Sequence, residues 1–201
     1  MKIIVNKLFI YLALFLIIIS LSNCASFSYQ YQNPVFLTPS FLTSENIKEL
    51  NGEYSIIARS KDSIMNNHYP SYNNFFQILD RDRGNKKDTL NKNNLSNFSF
   101  KINVINDGEI KFEYLTNNKK FNERIIKYEL REGYLYLKNK NTTIGGIPYV
   151  FGGIEVNKVR LTRDLKDNLV AEIAHHNSGA ILLVFGDAKD NHYQCYYHKI
   201  K

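Results

Sequence analysis

Apolar and polar residues alternate along much of the chain, with the period of two that is typical of half-buried β-strands. In the segment 97–105 the even positions are apolar, and most of the odd positions are polar. The segment 109–114 alternates in the same way, and the residues between the two segments, Asn106-Asp107-Gly108, favour a turn. The pattern therefore predicts a β-hairpin.

The length of this turn decides which side chains share a face of the hairpin. A two-residue turn at Asp107-Gly108 would place the apolar Val104 opposite Lys111. A three-residue turn that ends in glycine is a common hairpin form, and here it pairs apolar residues with apolar residues. The sequence therefore predicts the longer turn, with the cross-strand pairs Val104 and Ile110, Ile102 and Phe112, and Phe100 and Tyr114.

A second hairpin is predicted around Glu132-Gly133, in this case with a two-residue turn. That turn places Leu130 opposite Leu135 and Tyr128 opposite Leu137, which puts all four on one face. The same reasoning predicts further strands at 55–59, 75–79, 156–162, 169–174, 180–185 and 193–200, separated by turns at 164–168, 175–179 and 186–191.

The order of these elements sets the fold class. No long helical pattern interrupts the strands, which excludes a parallel βαβ architecture. Ser44 is a candidate N-cap for a short helix at 45–50, just before Gly52. We predict an all-β protein with a short N-terminal helix, whose antiparallel meander of about ten strands closes into a barrel or clam to protect its edges.

Two pairs of glycines, Gly145-Gly146 and Gly152-Gly153, bracket the apolar segment 147–151. Paired glycines within strands are typical of bulges or sharp corners, which barrels require. An alternative interpretation is an apolar flap over a pocket, hinged at both glycine pairs.

The first residues follow a different pattern. Two lysines, Lys2 and Lys7, precede an apolar run at 8–19 that is shorter than the roughly 20 residues needed to span a bilayer. A basic start, a short apolar segment and a small-residue exit are typical of a secretory signal peptide. The exit, Leu21-Ser22-Asn23-Cys24, resembles the lipobox of bacterial lipoproteins. The resemblance implies cleavage before Cys24 and a diacylglycerol on its thiol; an ordinary secretory signal is the alternative.

This leader divides the chain into three predicted parts. Residues 1–23 are the signal peptide, 24–43 a flexible tether that contains two prolines, and 44–201 the β-barrel domain. Ala25 and Ser26 follow the cysteine, and neither is an aspartate. In lipoproteins of Gram-negative cells, the absence of aspartate after the cysteine commonly accompanies transport to the outer membrane. We therefore predict a membrane-anchored envelope protein, on the outer membrane and facing the periplasm.

Composition and charge indicate which classes of partner, and which covalent links, we expect for this chain. The net charge is +7, but the lysines are scattered among asparagines in predicted loops, so we predict no nucleic-acid partner. The chain has two cysteines, Cys24 and Cys195, so acylation of Cys24 leaves no disulfide partner within the chain.

Residues with catalytic or metal-binding side chains form no convincing motif. His192, Cys195 and His198 are zinc-ligand types, but a strand places the cysteine on the opposite face from the histidines. The pair His175-His176 falls in a predicted turn. The segment 80–84, Asp-Arg-Asp-Arg-Gly, superficially resembles a calcium loop but has Gly84 and Asn91 where acidic ligands are required. Nucleophile elbows and phosphate-binding glycine loops are absent from the sequence. We predict no metal, no cofactor and no enzymatic activity.

The first strand of the predicted barrel resembles a known family of ligand-binding proteins. A short helix followed by Leu50-Asn51-Gly52-Glu53-Tyr54 resembles the opening of lipocalins, with Tyr54 where their Gly-x-Trp signature has tryptophan. The resemblance implies a cup for a small apolar molecule or lipid. Candidate ligand contacts are the aromatic residues on the predicted inward face: Tyr54, Phe98, Phe100, Phe112, Tyr114 and Tyr128. The alternative is a structural lipoprotein with a filled barrel and no ligand, which contacts another envelope protein.

Overall fold

The computed structural model describes residues 27, 38–60, 63–64, 74–79, 92–139, 142–147, 151–181 and 185–201. The predicted signal peptide, Cys24 and most of the predicted tether lie outside these residues, as do the calcium-loop candidate 80–84 and the centre of the segment 147–151. Within the described part, no helix has both the length and the apolar character that crossing a membrane requires.

The described residues are mostly antiparallel β-sheet, as predicted from the alternation. The strands are β1 (Pro39–Ser40), β2 (Gly52–Ser55), β3 (Arg59–Ser60), β4 (Ser63–Ile64), β5 (Phe98–Asn106), β6 (Glu109–Thr116), β7 (Lys119–Arg131), β8 (Tyr134–Leu137), β9 (Thr142–Ile147), β10 (Phe151–Asp164), β11 (Leu169–Ile181) and β12 (Phe185–Tyr197). Their order across the sheet is β2-β5-β6-β7-β8-β10-β11-β12-β3-β4, and β1 and β9 also pair with β10.

The predicted register of the first hairpin is confirmed. β5 and β6 pair with Phe100 opposite Tyr114, Ile102 opposite Phe112 and Val104 opposite Ile110. The register shifts between Val104 and Asn106, which leaves one extra residue beside the turn, and Gly108 in that turn has a φ of +107°. The three predicted cross-strand pairs are therefore correct, but the predicted three-residue turn is wrong. Asn106 pairs with Glu109, the turn is Asp107-Gly108, and the bulge at Ile105 keeps the apolar residues on one face.

The second hairpin is also confirmed. β7 and β8 pair with Tyr128 opposite Leu137 and Leu130 opposite Leu135. Glu132 and Gly133 form the two-residue turn, with φ values of +55° and +79°. Two consecutive positive φ values match the twist of the strands on either side.

Glycine at position 133 also leaves room for the chain before β2. A Cβ atom built there would lie 2.7 Å from the Cβ atom of Phe41. We therefore expect Gly133→Ala to lower the free energy of unfolding by more than the ~1–2 kcal/mol of a left-handed alanine. Urea denaturation measures it. Gly108→Ala is the matched control, because its φ is also positive but nothing lies within 4 Å; equal losses would contradict the close contact.

Three predicted elements are wrong. The strand predicted at 55–59 is absent: β2 ends at Ser55, β3 begins at Arg59, and the residues between them belong to neither strand. The segment 75–79 is a short α-helix, α1 (Phe75–Leu79), and not a strand. Its apolar residues at 75, 76, 78 and 79 are all buried, so the five residues carry no alternation that distinguishes the two structures. The predicted helix at 45–50 is a turn followed by a 3-10 helix, Ile47–Leu50, and no α-helix forms there.

β11 and β12 are longer than predicted, because the turns expected at 175–179 and 186–191 are wrong. Both segments continue as paired strand, with His175 opposite Asn191 and Gly179 opposite Asp187. The predicted strand 180–185 instead contains the end of β11 and the start of β12. The apolar core does not extend along the second half of β11 and the first half of β12. Polar residues and glycines can therefore occupy these strand positions, and their composition resembles that of a turn.

Both ends of the described chain contact the sheet. Pro39 and Ser40 pair with β10, and the backbone N–H of Leu42 donates to the carbonyl of Gly133 at 2.9 Å. The last residues of the predicted tether are therefore part of the fold. After β12, the chain returns to β2, where the N–H of Ser55 donates to the carbonyl of His198 at 2.8 Å.

Candidate functional site

The aromatic residues proposed from the strand periodicity lie in the interior. Tyr54, Phe100, Phe112 and Tyr114 each have 1% or less of their surface exposed. They belong to the neighbouring strands β2, β5 and β6, and their alternate spacing places them on one face. This face is the centre of the main apolar core. Their role as ligand contacts stays a prediction.

The helix α1 packs against this aromatic face. The ring of Phe75 stacks on that of Phe100 with centroids 4.1 Å apart, and it also contacts Phe112 at 5.3 Å and Tyr197 at 5.1 Å. The next residue, Phe76, meets Tyr114 edge to face at 4.8 Å. Offset and edge-to-face aromatic pairs at such distances add stability beyond the burial of their area. At this level of the interior, the chain's own helix occupies the aromatic face.

The remaining two candidates are Phe98 on β5 and Tyr128 on β7, and they lie near opposite ends of β5. Phe98 begins that strand, is partly exposed, and contacts Phe121 edge to face at 5.8 Å. Phe121 is 43% exposed and lies 6.2 Å from the ring of Phe76. At the other end, the hydroxyl of Tyr128 donates to the carbonyl of Asn106 at 3.0 Å. The six candidates therefore do not converge on one point, and only the Phe98 end reaches solvent.

Buried hydroxyl and thiol groups in the core are held in their neutral forms. The hydroxyl of Tyr54 donates to the carbonyl of Leu50 at 2.8 Å, and burial raises the pKa of Tyr54. Burial likewise raises the pKa of Cys195 to about 12. A thiol that stays protonated at neutral pH is a poor nucleophile and metal ligand. The Tyr54 hydroxyl and the Cys195 thiol therefore stay protonated near neutral pH and pack within the core.

A polar cluster continues the inward face of β10, β11 and β12 beyond the core. Asn157, His175 and Asn191 lie in one cross-strand row, with Glu155 one inward position further along β10. The Nδ1 atom of His175 is 2.9 Å from the amide oxygen of Asn157 and 3.7 Å from Oε1 of Glu155. Glu155, Asn157 and Asn191 are buried. A partly buried imidazole between an amide and a carboxylate can donate or accept hydrogen bonds.

Sequence reasoning missed this cluster, because it assigned His175 to a solvated turn. The available signal was weak. Asn157 stands two residues before the buried Val159, so it shares the inward face of β10. This position points to His175 only once β11 is known to continue past Ala174, because His175 then lies opposite Asn157.

The opposite face of the same strands carries a buried ion pair. Arg160 and Glu172 are 3% and 1% exposed and stand directly opposite each other. Nε of Arg160 donates to Oε2 of Glu172 at 2.6 Å, and the side-chain amide of Gln194 donates to Oε1 at 3.0 Å. A second guanidinium nitrogen donates to the hydroxyl of Tyr136 at 2.8 Å. The carboxylate is thus held on both oxygens.

Aromatic rings surround the guanidinium of this pair. It lies 4.1 Å from the ring centroid of Tyr134 and 4.6 Å from that of Phe27, which itself meets Tyr136 edge to face at 5.4 Å. Burial acts to lower the pKa of Arg160, but the charge of Glu172 and the hydrogen bonds raise it above the ordinary value. The cation is therefore permanent and its geometry is fixed. It works as an internal crosslink that also holds a residue of the predicted tether.

The histidine and cysteine motif near the C-terminus is dispersed. Cys195 points into the core, while Nδ1 of His198 is 2.9 Å from the amide oxygen of Asn168. No set of three or more histidine, cysteine, aspartate or glutamate residues is placed to hold a metal ion within the part of the chain that the structure describes.

Comparison with protein-family models, with curated proteins and with solved structures found no match to this chain.

Proposed function

We propose that this protein is a lipid-anchored protein of the cell envelope whose β-domain is filled by its own side chains and acts through its surface. The observation that carries the proposal is the packing of α1 on the aromatic face, with Phe75 stacked 4.1 Å from Phe100. The apolar molecule of a lipocalin-like cup would occupy that same place. A structural or interaction role therefore fits the interior better than storage of a ligand there.

The proposed domain is a lipocalin-like barrel that is closed between its first and last strands. Support comes from the return of the C-terminal residues to β2, where the N–H groups of Glu53 and Ser55 donate to the carbonyls of Lys201 and His198 at 2.9 and 2.8 Å. In the reverse direction, the N–H of Ile200 donates to the carbonyl of Glu53 at 2.6 Å. Closure removes the exposed edges that a sheet of this size would otherwise present.

The proposed anchor is the acylated thiol of Cys24, at the outer membrane and facing the periplasm. Its support is the leader with its Leu21-Ser22-Asn23-Cys24 exit. Two acyl chains on one residue are enough for stable attachment, because each buried methylene adds ~0.8 kcal/mol. Since Phe27 packs against Arg160, only two residues separate the anchor from the domain, and the three Cα–Cα steps from Cys24 to Phe27 reach about 10 Å. The domain would therefore stay close to the bilayer.

One observation favours a second candidate function, the binding of a small apolar molecule or lipid. Phe98 and Phe121 form a partly exposed aromatic edge above the buried Phe76 and Tyr114. Such an edge offers apolar surface next to an aromatic interior. In this alternative, the ligand would lie at the Phe98 end, and not at the centre where α1 packs.

A single variant, Cys24→Ala, tests both parts of the proposal. We expect the parent protein to stay with membranes through an alkaline carbonate wash, and the variant to be released, because it lacks the acyl chains. Native mass spectrometry of the released protein should give the mass of the polypeptide alone. Release of parent and variant alike would overturn the anchor. A co-purifying apolar molecule, lost in Phe121→Ala, would overturn the role without a ligand and support the second candidate.

A further inference from the structure

The long strand β7 changes its neighbours along its length. Residues 119–127 pair with β6, and the end of the strand, from Tyr128 to Arg131, pairs with β8. Directly after β8, the backbone N–H of Lys138 donates to the carbonyl of Lys127 at 2.7 Å. Beyond this bond the two strands of the hairpin separate: β9 pairs with β10, and most of its Cα atoms lie more than 8 Å from those of β7.

The pairing of β9 with β10 is regular. Gly145 lies opposite Gly153 and Gly146 opposite Gly152 without a register shift, so the bulges expected at these glycine pairs from the sequence are wrong. Since all six residues of β9 pair with β10, β9 leaves the first half of β7 with β6 as its neighbour among the described strands.

Two hydrogen bonds show which backbone groups of β7 point away from β6. The N–H of Tyr128 donates to the carbonyl of Gly108 on the β6 side at 2.8 Å, whereas the carbonyl of Lys127 accepts from the opposite side. Successive residues of a strand direct their N–H and C=O groups to alternate edges. Glu123 and Ile125 therefore direct both groups away from β6. We call this side of residues 121–126 the open edge.

No strand pairs with the open edge among the residues that the structure describes. Within the same residues, neither Glu123 nor Ile125 makes a backbone hydrogen bond on this side. Ile125 is 58% exposed and the nearby Phe121 is 43% exposed. The proposed closure between β2 and the C-terminal residues does not cover this part of β7. Unpaired backbone groups beside exposed apolar side chains are a template for a further strand.

We infer that the open edge is a docking site for an extended, acidic segment of a partner protein, which adds a strand to β7; this inference deepens the proposed surface role of the domain and rests on it. In strand addition, backbone hydrogen bonds supply affinity and alternate side chains supply specificity. From Phe121 to Ile126 the edge is about 17 Å long. A partner segment of about six residues covers that length.

The charge along the open edge favours an acidic partner. The segment 119–127 has a net charge of +3, because it contains one acidic residue, Glu123, and four basic residues: Lys119, Lys120, Arg124 and Lys127. Nζ of Lys120 lies 2.8 Å from Oε2 of Glu123, so these two charges compensate each other. On the neighbouring strand, Lys111 and Glu113 form their own ion pair at 2.7 Å. Opposite charges on paired strands stabilise the pairing, so acidic side chains suit this edge.

A second copy of this chain fits the open edge less well. Two identical strands that pair antiparallel about a two-fold axis place one residue opposite its own copy. When the whole segment 119–127 takes part, that residue is Glu123, and moving the centre by one residue places Arg124 there. Like charges directly opposite each other destabilise paired strands. A register centred on Ile125 avoids this repulsion, but β8 already pairs with β7 beyond Lys127.

Peptide binding to the released Cys24→Ala protein tests the docking site without the anchor. The probe is a synthetic seven-residue peptide of alternating glutamate and valine, and a peptide of alternating lysine and valine is its control. We expect calorimetric titration to show that the acidic peptide binds about tenfold or more tightly than the basic peptide, because the segment 119–127 is basic. Absence of binding by the acidic peptide, or equal binding of the two peptides, would overturn the inference.

Proline at position 125 separates strand pairing from general attraction between charges. Ile125→Pro removes an N–H group that points away from β6, so the pairing with β6 is retained while an added strand loses a hydrogen bond. We expect this change to weaken binding of the acidic peptide about tenfold or more. Ile125→Thr is the matched control, because threonine keeps the N–H group and suits a strand, and it should bind within about threefold of its parent. Equal binding by the proline variant would contradict strand addition.

Amide hydrogen exchange, measured by NMR, remains decisive if the proline variant folds poorly. Without peptide, the amides of Glu123 and Ile125 should exchange faster than those of Arg124 and Ile126, which bond to β6. The acidic peptide should slow exchange at Glu123 and Ile125 and leave Leu165, in an exposed turn, unchanged. Unchanged exchange at Glu123 and Ile125 would overturn the inference.

Two further outcomes are kept apart from loss of peptide binding. Dimerisation of the parent protein that Ile125→Pro abolishes would overturn the inference in favour of a second copy of this chain. Failure of the proposed function is measured separately: the carbonate wash reports loss of the anchor, and native mass spectrometry reports a bound ligand.

Discussion

Replacing Glu172 with alanine should lower the free energy of unfolding by about 3–5 kcal/mol. The carboxylate is 1% exposed and accepts hydrogen bonds from Arg160 at 2.6 Å and from Gln194 at 3.0 Å. Its removal leaves the buried guanidinium without the charge that compensates its desolvation. Chemical denaturation followed by circular dichroism measures the loss.

Two further variants separate the effect of burial from that of charge. Glu129→Ala breaks an ion pair with Lys138 in which both side chains are more than half exposed, and it should cost less than about 1 kcal/mol. The double change Arg160→Met and Glu172→Leu should recover most of the stability lost in Glu172→Ala, because apolar residues of similar volume often replace a buried pair without cost. Equal losses in Glu172→Ala and Glu129→Ala would contradict the buried position of the pair.

The hairpins were predictable from the sequence because one face of each is buried. In β5 and β6, a slip of one residue would turn Phe100 and Ile102 towards solvent, so the alternation specifies a single register. The same logic fails along the second half of β11 and the first half of β12. There His175 and Gly179 lie beyond the apolar core, and strands without an apolar face carry no period that distinguishes them from a turn.

The candidate site was predictable only in part, for a related reason. The inward position of Phe100 and Tyr114 follows from alternation, but the residue that fills the space against them, Phe75, is distant in sequence and lies in a five-residue helix. The Arg160 and Glu172 pair depends on the register between two strands, because each residue alone resembles an ordinary solvent-facing charge. Both the packing of Phe75 on Phe100 and the pairing of Arg160 with Glu172 depend on contacts between residues distant in sequence, which a local pattern does not show.

Replacing Phe100 with alanine should cost about 3–5 kcal/mol, because its ring is completely buried among other aromatic rings. It stacks on Phe75 at 4.1 Å and lies 5.5 Å from both Tyr54 and Tyr197. Alanine would leave a cavity that these rings close only partly. Urea denaturation gives the loss, and Phe41→Ala is the control, because Phe41 is 58% exposed and should cost under about 1.5 kcal/mol.

The size of this loss also distinguishes the filled domain from a ligand cup. A side chain that borders a void loses fewer contacts on truncation, so a cup predicts a loss nearer to 2 kcal/mol for Phe100→Ala. In the filled domain, the parent protein should not bind an apolar fluorescent probe, whereas Phe100→Ala should bind it weakly in the cavity that the substitution creates. Probe binding by the parent that is abolished in Phe100→Ala, together with the smaller loss, would instead place a ligand against the aromatic face. The cost of one buried ring and the gain or loss of probe binding then decide whether the centre of the domain is filled by its own side chains or holds a ligand.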